Sequence, residues 1–167
     1  MTEAGRSATT GRMAYQSPSD APAIRFPPPL IFLGFLLLGL LVDWLLALPP
    51  LTIPWWIGAV VALAGGGLIA ASVGAFRRHG EDPRPWTSTG EVNATGVYAR
   101  SRNPMYLGMV LTGLGLSVAL HSMTAAIFTL VAMTVVGSAV IRREEAYLEA
   151  RFGDGYRAYR SRVRRWL

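Results

Sequence analysis

Apolar residues gather into four blocks along the chain, Leu30–Leu48, Trp55–Phe76, Met105–Leu120 and Met123–Ile141. A helix needs roughly 20 residues, within a range of about 17–25, to cross a hydrocarbon core, so the first, second and fourth blocks are long enough alone. The third is short, and only His121 and Ser122 part it from the fourth. That spacing predicts a tight helical hairpin that crosses and returns. Pro49, Pro50 and Pro54 interrupt the chain between the first two blocks, because proline lacks the N–H that would continue a helix. The predicted fold is all-α: a polytopic membrane protein with about four transmembrane helices at 30–48, 55–76, 105–120 and 123–141. A loop, 77–104, and a C-terminal tail, 142–167, complete a single domain over 29–167. Residues 1–28 are rich in Ser, Thr, Ala, Gly and Pro without a helical apolar period, which predicts a disordered tail. The first apolar block follows a long polar stretch and ends without a small-residue cleavage site, the pattern of a retained helix rather than a signal peptide.

Charge orients this arrangement. The chain is 51% hydrophobic yet carries a formal net charge of +6, so basic and apolar residues are segregated. All 16 basic residues are Arg, which reads as a composition bias and gives no support to a nucleic-acid partner. Arg6, Arg12 and Arg25 precede the first block, Arg77, Arg78, Arg84, Arg100 and Arg102 lie between the second and third, and the rest follow the fourth. Cytoplasmic flanks hold the excess of Arg, so both termini and 77–104 are expected in the cytoplasm of a bacterial inner membrane. The turns at 49–53 and 121–122 then face outward, where Trp55 and Trp56 suit an aromatic belt. Having no cysteine, the chain can form neither disulfides nor thiolate metal sites and has no cysteine nucleophile; no metal is expected.

Within the second block, Gly58, Ala62, Gly66, Ala70 and Gly74 recur every four residues. Small stripes of this kind let membrane helices approach closely, so this face is expected to pack on another helix, ahead of the alternative of a groove for an acyl or prenyl chain. Asp43 is the sole ionisable residue inside the blocks. It lies near the outer end, where a structural or solvated role outweighs a functional one.

Candidate chemistry falls in 77–104 and 142–167. Asn103 and Pro104 suit the N-cap and first position of a helix starting at the membrane surface, and Arg100 and Arg102 beside that start make it attractive to anions. Asn103, Tyr106 and Leu107 share one face. Together they could hold an amphipathic cofactor, or they could simply anchor a capped helix at the interface. Glu144 and Glu145, where the fourth helix leaves the membrane, could hold an amine or ribose hydroxyls, or could pair with neighbouring arginines on a solvated helix. Tyr156, Tyr159, Val163 and Trp166 predict an amphipathic surface helix. His121 falls at the outer turn, far from this chemistry, and His79 is a weaker candidate.

Two segments together carry a resemblance. Arg102-Asn103-Pro104-Met105-Tyr106-Leu107-Gly108, then a hairpin, then Glu144-Glu145-x-x-Leu148 with Phe152-Gly153-x-x-Tyr156-x-x-Tyr159, resembles the isoprenylcysteine carboxyl methyltransferases and their bacterial phospholipid-methyltransferase-like relatives. The resemblance implies a membrane enzyme whose cytosolic loop and tail close over S-adenosylmethionine while a lipophilic or membrane-delivered carboxylate, thiol or amine acceptor enters from the bilayer. Carried over, Tyr98, Asn103, Tyr106, Leu107, Glu144 and Glu145 would line the cofactor, and Arg102 and Glu145 would be the catalytic candidates nearest the acceptor. Asn103 stands where a His is usual, and Glu81 where relatives often carry Thr. Two other classes compete: a sterol-reductase-like membrane enzyme using NADPH, and a non-catalytic scaffold binding anionic lipid through its arginines.

Overall fold

The structure is a computed structural model that describes residues 27–78 and 95–167. Expectations placed on 1–26, on His79 and Glu81, and on the rest of 79–94 lie outside the described residues. The order of elements is α1 (Pro28–Leu46), α2 (Trp55–Arg78), a 3-10 turn (Gly96–Ala99), α3 (Pro104–Ala119), α4 (Met123–Val136), a π turn (Gly137–Ile141), α5 (Arg142–Phe152) and α6 (Asp154–Arg162). The described residues are all-helical apart from an isolated bridge between Ser101 and Arg164.

Pro28–Leu46, Trp55–Ala75 and Met123–Phe152 are long and apolar enough to cross a membrane. The 16-residue α3 is shorter, about 24 Å at 1.5 Å per residue. Leu33, Leu37, Leu41, Leu63, Ile127 and Leu130 lie exposed on these helices, a surface suited to hydrocarbon and not to water. The protein is integral to the membrane.

The fourth helix does not stop at Ile141. Thirty residues make about 45 Å of helix, against a hydrocarbon core of about 30 Å, so the run Arg142–Glu145 lies beyond the spanning segment. The backbone passes through a π turn into α5, where Arg, Glu, Ala and Leu are good helix formers, and nothing breaks it until Gly153, at φ 51°. A π turn adds a residue to the ladder and so re-aims everything after it.

α2 packs antiparallel on α3 with backbones almost touching, though not along the evenly spaced stripe. A Cβ on Gly58 would lie 2.5 Å from the Gly115 carbonyl oxygen, one on Gly115 2.3 Å from the Ala62 nitrogen, and one on Gly65 2.5 Å from the Thr112 nitrogen. Gly66 and Ala70 are exposed, and Gly66 has open space around it. The reason is geometric: four residues turn a helix about 40° past a full revolution, so a strict four-residue stripe winds off the contact. The seam instead alternates steps of four and three, through Gly58, Ala62, Gly65, Ile69 and Ser72.

α1 lies against α4, where a Cβ on Gly39 would come within 2.4 Å of the Ala125 Cα. Between them, Phe32, Tyr106, Val110, Ala132, Val136, Val140 and Ile141 form the apolar core. The two turns interlock at one end. Ser122 Oγ accepts from the Ala125 N–H at 2.9 Å and donates to the Asp43 carboxylate. The Leu51 N–H donates to the His121 carbonyl at 2.8 Å, and His121 Nδ1 bonds the Leu51 carbonyl at 2.8 Å. Asp43 therefore has a structural partner. Trp44, Trp55 and Trp56 are exposed at this end, as amphipathic rings at an interface are.

Candidate active site

At the opposite end, four stretches distant in sequence converge: the 3-10 turn, the start of α3, α5 and the residues after α6. Helix geometry explains how α5 reaches two of them. Successive residues point about 100° apart, so Glu144 and Glu145 address different neighbours. The Tyr106 hydroxyl donates to Glu144 Oε1 at 2.7 Å, while Arg102 Nη1 lies 3.0 Å from Glu145 Oε1. Arg165 grips the same carboxylate, with Nε donating to Oε1 at 3.1 Å and Nη2 to Oε2.

Glu145 is buried. Burial of a charge is expensive unless it is paired, and here one carboxylate sits between two guanidiniums, leaving a surplus positive charge in the cluster. Arg102 Nε is buried without a hydrogen-bond partner among the described residues. Glu149, one turn further along α5, contrasts: it pairs with Arg160 at 3.0 Å and Arg157 at 3.9 Å, all half-exposed. That is the solvated pairing considered for the whole run, and it applies to Glu149 but not to Glu145.

Burial pushes the Glu144 carboxyl up to about 7, against the opposing pull of the Tyr106 hydrogen bond and with help from the adjacent Glu145 carboxylate. Tyr98, in the 3-10 turn, is buried, and burial raises its phenol well above the ordinary value, with Tyr159 and Glu144 adding to the effect. The Tyr159 hydroxyl donates to the Tyr98 carbonyl at 2.7 Å, and burial pushes the Tyr159 phenol up to about 12. Tyr106 presents its hydroxyl to Glu144 while its ring belongs to the apolar core. It thus bridges the spanning bundle and the charged cluster.

Asn103 precedes the first residue of α3, yet its side chain makes no cap hydrogen bond. Its Nδ2 instead donates to the Arg165 carbonyl at 3.1 Å, and its N–H donates to Ser101 Oγ at 3.2 Å. Leu107 is half-buried beside it on α3. Arg102, expected to enhance an anion-attracting helix start, is turned to Glu145.

The surface helix expected through Trp166 ends at Arg162, and Val163 is extended at φ −115° and ψ 129°. Tyr156 and Tyr159 are buried, and Trp166 packs back against the core cluster that contains Tyr106. Residues 163–166 thus form a strap across the start of α3, held by the Arg102 N–H donating to the Arg164 carbonyl at 2.9 Å. Sequence reasoning missed Arg165 altogether. Neither a helical nor an alternating period runs through Arg162–Leu167, and the one available signal is Trp166, a large apolar ring after a basic run that requires cover.

Residues 53–155 match the phospholipid methyltransferase family. An uncharacterized protein of Haemophilus influenzae is 41% identical over 63 residues, 38% of this chain and the whole of that protein. Protein-S-isoprenylcysteine O-methyltransferase of Schizosaccharomyces pombe is 35% identical over 68 residues, 41% of this chain and 29% of that enzyme. The chain thus matches under a third of the length of that enzyme. No solved structure matches. Apolar helices and these similarities define the class, an integral membrane methyltransferase. Within it, the chain belongs to the phospholipid methyltransferase family.

Proposed function

We propose that the charged end of the bundle binds S-adenosylmethionine and that its methyl group passes to a lipophilic or membrane-delivered acceptor. The observation that carries this reading is the junction of the two motif segments, Tyr106 on Glu144 and Arg102 on Glu145, at one end of a membrane bundle. A polar cofactor can reach that end from water, and an acceptor can reach it along the bilayer.

The residues present fit such a cofactor by their chemistry. Carboxylates suit its ammonium and ribose hydroxyls, and the unpartnered Arg102 Nε suits a carboxylate. When bound, the sulfonium supplies an already activated methyl group. Tyr98, Asn103, Tyr106, Leu107, Glu144 and Glu145 are the residues assigned to hold it, with Arg102 and Glu145 nearest the acceptor. Their work is orientation and exclusion of water, which in favourable cases lowers a barrier by about 7–11 kcal/mol. A carboxylate or thiolate acceptor arrives ionised. An amine must lose a proton, and the Glu144 carboxylate, raised to about 7, is suited to receive it near neutral pH.

The purified protein in lipid, given S-adenosylmethionine with a labelled methyl group, should label one of three acceptor classes: prenyl thiols, phospholipid amines or small thiols. Absence of transfer to all of them, together with NADPH binding, would instead favour the reductase. The Arg distribution supports a cytoplasmic site, so a cysteine placed at the exposed Thr52 should react with an impermeant reagent only from outside.

A further inference from the structure

Arg165 makes more contacts with the assigned site than any role as a surface charge requires. Its guanidinium holds Glu145 by two nitrogens, and its carbonyl accepts from Asn103 Nδ2 at 3.1 Å and from Ser101 Oγ at 3.3 Å. One residue after the bridge to Ser101, it thereby joins α5 to the start of α3. Trp166, the next residue, is partly buried and packs against the core cluster. The strap is tied down by backbone, side chain and apolar packing at once, which is the construction of a fixed wall.

We propose that Arg165 is a positioning residue for the methyl-donor site, fixing the Glu145 carboxylate against Arg102 and fixing Asn103 through its carbonyl. A carboxylate held by Arg102 alone can swing about its own side chain. A second, forked donor defines its plane as well as its position, and a lysine at 165 would supply the charge without the fork. This inference rests on the reading of the site given under Proposed function. The competing role for Arg165 is to pin the end of the chain, which would affect stability and leave ligand affinity alone.

The test is calorimetric binding of S-adenosylhomocysteine to the full chain in detergent, with thermal unfolding of each variant measured without ligand. Arg165→Gln should weaken binding by about tenfold, within the range of coupled neighbouring residues, and Arg165→Lys should recover part of the loss. Arg162→Gln, on an exposed residue, should bind as the unaltered protein does. In a Glu145→Gln background, Arg165→Gln should add less than about twofold, because its effect passes through Glu145. Unchanged affinity in folded Arg165→Gln, or equal losses in both backgrounds, would overturn the proposal. If Arg165→Gln does not fold, Arg165→Lys decides: weakened binding supports the role and unaltered binding overturns it. If the unaltered protein itself does not bind, the methyl-donor reading fails and this inference with it, whereas binding that ignores Arg165 removes the inference alone.

Discussion

The two ends of the bundle use polar groups in opposite ways. At the hairpin end, polar groups latch two turns together: Ser122 caps α4 and donates to Asp43, and His121 meets the Leu51 carbonyl. At the charged end, ionisable side chains meet one another, Tyr106 with Glu144 and both Arg102 and Arg165 with Glu145, so that two guanidiniums share one buried carboxylate. The first arrangement closes a fold. The second holds charge out of water where a ligand could use it, and perturbed, partly satisfied groups cluster at functional sites for that reason.

Both ends depend on the seam between α2 and α3, and breaking it should have the largest effect. Gly115→Val would drive atoms into the Ala62 backbone, 2.3 Å from the position of its Cβ, and should cost about 3 kcal/mol or more. Gly66→Ala, with open space around it, should leave the unfolding midpoint in detergent level or slightly raised. Comparable losses from both would contradict the seam.

The charged end alone should show an unusual pH dependence. Folded Glu144 keeps its proton up to about pH 7, whereas unfolded it loses the proton near its ordinary value of 4.5. The folded state binds the extra proton between those values, so Glu144 makes stability fall as pH rises through that window, by about 3 kcal/mol at the full shift. Unfolding midpoints from pH 4.5 to 7.5 should lose this slope in Glu144→Gln. Tyr106→Phe sharpens the point. It removes the donor that favours the ionised carboxylate, so the decline should extend to higher pH, with a further loss of roughly 1.5–3 kcal/mol. A pH profile unaltered by either substitution would separate Glu144 from the cluster.

The smallest effect belongs to the hairpin end. Asp43→Asn weakens the latch to Ser122 and should cost about 1 kcal/mol of stability while leaving ligand affinity unchanged. A loss of binding with folding intact would mean that the two ends are not independent.

Much of this contrast was legible in the sequence. Apolar blocks near the length of a bilayer gave the spanning helices, and the segments at 102–108 and 144–159 carried the resemblance because their chemistry is local and ordered along the chain. Features set by tertiary contact were not legible. Asn103 has the sequence context of a cap, but the Arg165 carbonyl claims its side chain. The charged run after Ile141 reads as a helix leaving the membrane, but nothing in it announces the π turn at Gly137–Ile141 that re-aims α5. The strap at 163–166 makes one isolated bridge, too short for any period to announce it. In α2 the small residues are plain in sequence, but the face they cover depends on steps of 3.6 residues per turn that an even count of four misses.

The central claim is that buried Glu145 serves a ligand site and half-exposed Glu149 serves only the surface. Titrating S-adenosylhomocysteine into the unaltered protein, Glu145→Gln and Glu149→Gln, with folding checked by thermal unfolding, tests it directly. The account predicts saturable binding to the unaltered protein, weakened about tenfold or more by Glu145→Gln, as losing a charge-assisted contact of roughly 1.5–3 kcal/mol implies, and left within twofold by Glu149→Gln. Equal, small effects of the two substitutions in folded protein, or no binding to the unaltered protein, would contradict it.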